Sequence, residues 1–183
     1  MKSKWMMGCV SVLMFLSIIA CGDDLTSITF TEQSQEAVVM GRAGIMLPLP
    51  INIIPAMTLN INLQDELDAQ NAGAAKAVYL DAIDLKITDT KIADGDTDNF
   101  DFIKKVDVYV ESTKSSTQLQ KVKIATISEV PKGQTTISLQ TESNIDLKPY
   151  IEEGVRLTTS GSGDVPPDDV SLVAIVTLKV QIL

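Results

Sequence analysis

The sequence predicts an all-β fold made of two packed antiparallel sheets, and three observations carry that expectation. Apolar and polar residues alternate in seven to nine short runs, the period-2 signature of strands with one dry face and one wet face. Clusters of polar turn residues, Gly and Pro separate the runs. Only one segment has the composition of a helix.

In chain order, Ile28 and Phe30 alternate with Thr29 and Thr31 in a first strand that follows closely on an amino-terminal apolar run. Residues 41–57, GRAGIMLPLPINIIPAM, are mostly apolar, but Pro48, Pro50 and Pro55 rule out a helix or a central strand. Two readings stand for this segment. It is a buried crossing or edge laid over the core, or it is an exposed apolar patch of Ile45, Leu47, Leu49, Ile51, Ile53 and Ile54 that meets a ligand, a membrane or a partner. Met57, Leu59, Ile61 and Leu63 then share one face against Thr58, Asn60 and Asn62. Helix formers over residues 64–72, closed by Gly73, predict one short helix.

Four strands follow, with Ile83, Leu85 and Ile87 inward in the first and Val106, Val108 and Val110 in the second. Val122 and Ile124 face inward in the third, Ile137 and Leu139 in the fourth. Pro149 and Gly154 bracket a turn or a single helical turn. Residues 154–183 read as two strands about a loop rich in Gly and Pro, the last with Leu172, Ala174, Val176, Leu178, Val180 and Ile182 on one face. Residues 25–183 contain no long polar linker, repeat or composition break, so they are expected to form a single β-sandwich domain. An immunoglobulin-like or fibronectin-like sandwich of seven to nine strands with at most one short helix is the first choice, without the Cys-Trp-Cys core of a true immunoglobulin domain. A small β-barrel is the alternative.

The amino terminus carries a different signal. Lys2 and Lys4 precede an uncharged run from Trp5 to Ala20. As a helix it reaches only about 24 Å, short of the roughly 30 Å hydrocarbon core, so a cleaved export signal is favoured over a membrane span. Ile18, Ile19, Ala20 and Cys21 resemble the lipobox of bacterial lipoproteins, in which a branched apolar residue, a tolerant position and a small residue precede an obligatory cysteine. The resemblance covers about the first 22 residues. It implies signal-peptidase recognition through Ile18, Ile19 and Ala20, cleavage of residues 1–20, diacylglycerol on the Cys21 thiol and acylation of the new amino terminus. Residues 21–24 are then the lipidated anchor and a short tether. Gly22 stands where the inner-membrane retention rule of enteric bacteria wants aspartate, with Asp23 and Asp24 one place later, so the outer membrane is favoured and the facing leaflet is open. With Cys9 in the discarded segment and Cys21 lipidated, the mature domain has no disulfide and relies on its core.

Composition narrows the function classes. The full chain has a net charge of −9, and the 163 residues left after cleavage carry 13 basic against 24 acidic side chains, a net charge of −11. Such a surface repels nucleic-acid phosphates and anionic headgroups, so no nucleic-acid partner is expected and membrane contact should come from lipid. Histidine is absent, which removes Ser-His-Asp and Cys-His pairs and imidazole zinc sites. The chain also lacks a G-x-S-x-G elbow, an S-x-x-K pair, a P-loop and a G-x-G-x-x-G fingerprint. No enzyme activity and no organic cofactor are expected.

One segment could hold an ion. Asp94, Asp96 and Asp98 repeat at the alternate spacing of an EF-hand loop, with Asp89 and Asp101 nearby. Asn99 replaces the loop's glycine, and Lys105 replaces the bidentate glutamate. The segment therefore reads as a solvated hairpin tip, or as a calcium site of Asp94, Asp96, Asp98 and Asp101. A second acidic loop, Asp164, Asp168 and Asp169, could contribute only if both lie at one end of the fold. The expected function is a non-catalytic envelope lipoprotein, an interaction or structural module with envelope protein partners and a membrane contact through Cys21. The alternative is a carrier or adhesion module for an apolar ligand or membrane, with calcium dependence as an option.

Overall fold

The computed structural model describes residues 27–41, 54–88 and 98–183, and strands make up 51% of them. The first sheet contains β1 (Ser27–Gln33), β2 (Ala37–Val39), β4 (Ala75–Ile87), β7 (Thr136–Ser138) and β10 (Val170–Ile182). It runs in the order β1-β10-β4-β7, and β2 also pairs with β10. The second sheet is β3 (Met57–Leu59), β9 (Val155–Gly163), β5 (Ile103–Ser112), β6 (Val122–Ile127) and β8 (Gln140–Thr141), in the order β3-β9-β5-β6-β8. All pairings are antiparallel. The two sheets do not close into a barrel, so the expected two-sheet sandwich is the fold.

The core is the set of inward positions of both sheets, joined in one apolar cluster that includes Phe30, Val39, Leu85, Val108, Ile124, Leu157 and Leu172. The alternation in β10 places Leu172, Ala174, Val176, Leu178 and Val180 at 0–1% exposure. Burying such side chains contributes roughly 1.5–3 kcal/mol each, which makes β10 the centre of the fold. Two buried polar groups are tied into it. Ser34 Oγ accepts from Ala174 N–H at 2.9 Å and donates to the Gln35 carbonyl at 2.8 Å. Thr159 Oγ1 donates to the Ile54 carbonyl at 2.8 Å. Both satisfy groups that would otherwise be buried without a partner.

Ten strands replace the expected seven to nine because two runs are interrupted. Ser34 turns the chain between β1 and β2, and Leu139 separates β7 from β8. The alternation through Ile61 and Leu63 does not extend β3. Asn62 instead caps a helix, α1 (Leu63–Ala69), its side chain accepting from Asp65 N–H at 3.4 Å. This helix starts one residue earlier than expected and ends before Gly73. The left-handed turn is made by Asn71, at φ 51°, a residue that tolerates this conformation. The bracket of Pro149 and Gly154 forms a six-residue helix, α2 (Lys148–Glu153), where a turn or single helical turn was expected. Gly154 ends it at φ 88°.

Bulges displace the inward alternation, as two of them illustrate. Thr177 pairs with Ala82 and Leu178 with Leu80, so Asp81 has no partner across β10 and β4 changes face around it. Val78 and Leu80 are thereby buried together with Ile83, Leu85 and Ile87. In β6, Ala125 pairs with Val108 and Lys123 with Tyr109, leaving Ile124 as the extra residue. Ile124 and Ala125 are consequently both buried, and Val122 is only half-buried.

The topology gives the sandwich two distinct ends. Ser27 pairs with Gln181, and Val155 with Ser112, so the start of β1, both helices and the 113–121 loop belong to one end, the near end. Leu147 N–H bonds the Val78 carbonyl there at 2.7 Å, and Lys148 Nζ donates to the Ala75 carbonyl at 2.8 Å. At the other end, the far end, β4 finishes, β5 begins, and the β9–β10 and β6–β7 loops cross over.

Candidate functional site

The far end is the place where chain segments from both sheets converge on one surface. A single turn of 3-10 helix at Phe100–Phe102 precedes β5, with Asn99 Oδ1 accepting from Asp101 N–H at 2.9 Å. Phe100 N–H bonds the Gln134 carbonyl at 2.8 Å, and Gly133 N–H donates to Asp101 Oδ1 at 2.6 Å. Asp164 N–H bonds the Phe102 carbonyl at 2.7 Å, while the Asp164 carboxylate pairs with Lys104 at 3.2 Å. Gly41 N–H donates to Asp169 Oδ1 at 2.8 Å, which fixes the residues after β2 to the same surface. A Cβ on Gly41 would collide with the Asp168 backbone, so only glycine permits that approach.

Residues 98–101, the described part of the first acidic loop, thus lie at the same end as the second loop, but Asp101, Asp164 and Asp169 have other partners. Asp101, Asp164 and Asp169 are engaged by Gly133, Lys104 and Gly41. Asp98 is buried, at 9% exposure. Asp94 and Asp96 lie outside the described residues. Among the described residues, no three His, Cys, Asp or Glu side chains come together in a way that could hold a metal ion. Sequence reasoning did not single out Gly41, Lys104 or Gln134 as the groups that bind these loops together. No local pattern marks them, because each acts on a residue far along the chain.

The remaining sequence-derived residues fall as follows. Ile18, Ile19, Ala20 and Cys21 lie outside the described residues, as do Ile45, Leu47, Leu49, Ile51 and Ile53. Ile54 is described and is 2% exposed, so it belongs to the core rather than to a contact surface. The cavity beside it, lined by Ile54, Ile103, Val106, Thr159 and Gly161, has about 10 Å³ of free space, the size of one water molecule. Among the described residues, no helix is long and apolar enough to cross a membrane.

Comparison with known protein families and with curated proteins gives no match.

One cluster combines hydroxyls with a carboxylate. Glu153 Oε2 accepts from Ser112 Oγ at 2.8 Å and from Thr117 Oγ1 at 2.5 Å, with Lys114 Nζ at 3.7 Å from Oε1. The hydrogen bonds from Thr117 and Ser112, aided by Lys114, hold the Glu153 carboxyl below its usual range. A carboxylate held in this way is a weak base, and Ser112 is itself buried at 7% exposure. The cluster fastens the 113–119 loop to α2.

The outer face of the second sheet is a lattice of ion pairs. Arg156 Nε lies 2.9 Å from Glu111 across β9 and β5, and Lys123 bridges Glu142 at 3.2 Å and Asp107 at 4.0 Å. Burial pushes the Asp107 carboxyl up, but hydrogen bonds from Thr126 and Lys105 and the charges of Lys105 and Lys123 outweigh it and set the group below its usual range.

Glu32 is the opposite case. It lies on β1, partly buried, and burial together with the neighbouring Glu66 of α1 raises its carboxyl above the usual range. A raised carboxyl is destabilising when charged. The penalty is full above the folded-state pKa and disappears below the unfolded value of about 4.3. Glu32→Gln should therefore raise the melting temperature at pH 7 and leave it unchanged near pH 3. Equal melting of the two proteins at both pH values would remove this account.

Proposed function

We propose that this chain is a lipid-anchored protein of the bacterial cell envelope, most simply of the outer membrane, whose β-sandwich is a non-catalytic interaction module. The observation that carries the reading is the match between anchor and fold. Cys21 completes the lipobox, and β1 begins at Ser27, six residues later, at the end of the sandwich remote from the converging loops. Multiple acyl chains on one residue hold a protein to a bilayer firmly, whereas a single chain gives marginal binding. Envelope proteins are the expected partners.

Cys21→Ser tests the anchor. The variant should accumulate unprocessed or leave the membrane fraction, with loss of radiolabelled palmitate. Normal processing and unchanged membrane retention would sink the proposal.

Within this reading the acidic far-end segment acts as a solvated turn, because Asp101, Asp164 and Asp169 already accept from or pair with protein groups. Melting the domain in millimolar calcium and again in chelator should give the same temperature. An ion bound at one hundred times its dissociation constant would add about 2.7 kcal/mol. A calcium-dependent rise that Asp96→Asn abolishes would instead make the far end a calcium-dependent adhesion surface.

The apolar-contact alternative is narrowed to residues 45–53, since Ile54 is buried. Gly41, on one side of that segment, is tied to Asp169, and Ile54, on the other, to Thr159.

A further inference from the structure

We draw no further inference here: the strongest candidate, the exposed apolar patch of Val38 and Met40 where β2 pairs with the start of β10, is an unpartnered apolar face, and nothing among the described residues shows what covers it.

Discussion

Phe100→Ala should lower the stability of the domain by about 4 kcal/mol, within the range for emptying a buried aromatic position. Phe100 is fully buried at the far end, with its ring centroid 6.2 Å from that of Phe102. Its backbone N–H also ties the turn before β5 to Gln134. Truncation leaves a cavity beneath loops that both sheets share, and those loops have little freedom to collapse because several cross-chain hydrogen bonds fix them. In a domain of this size the midpoint should fall by about 10 °C. Urea unfolding with an unchanged slope would show that stability, rather than the denatured state, has changed. A loss below about 1 kcal/mol would mean that the far end relaxes around the missing ring.

Gly161→Ala should be the other severe substitution, with a loss of about 3 kcal/mol from overpacking. Gly161 of β9 pairs with Val106 of β5, beside the irregular register between Ile103 and Lys105. A Cβ there would press into the Lys105 carbonyl, a backbone atom that cannot move without disturbing both strands. Gly133→Ala is the informative comparison. Gly133 sits at φ 69° with open space around the missing Cβ, so its cost is conformational, about 1 kcal/mol. Thermal unfolding of the two variants side by side separates steric exclusion from backbone strain. Equal losses would show that the Lys105 contact relaxes at little cost.

The ion-pair lattice predicts how stability varies with acid. Asp107 is set below its usual range, so the stability it contributes is present above the unfolded value of about 3.9 and is lost as pH falls through the lower folded value. Glu32 works in the opposite direction, because protonation relieves the cost of burying its charge and, to a lesser extent, its repulsion with Glu66. The surface pairs around Lys123 and Arg156 contribute little by comparison, and salt should weaken them.

The sequence by itself determined the fold class, the approximate strand positions and most of the core. Alternation is a local property, and residues such as Leu172, Val176 and Val180 reveal their face wherever the strand is placed. The bracket of Pro149 and Gly154 is local as well, since a first-turn proline and a left-handed helix end depend on the residue and its immediate neighbours, whereas the cap at Asn62 was hidden by an alternation that continues through it.

Tertiary structure decided what depends on partners distant in sequence. The bulges at Asp81 and Ile124 arise from cross-strand register, so no local pattern announces that Ile124 and Ala125 are buried together. The choice of sandwich over barrel rests on which edges pair, information that alternation does not contain. Asp101 and the loop of Asp164 and Asp169, about sixty residues apart, share one end because β5 begins where β9 finishes, and these three carboxylates are engaged by Gly133, Lys104 and Gly41. Burial of Ile54 follows from its position against Thr159, whereas its own segment reads as apolar whether it is covered or exposed. A residue's face is set by its nearest neighbours, but its partner is set by chain topology.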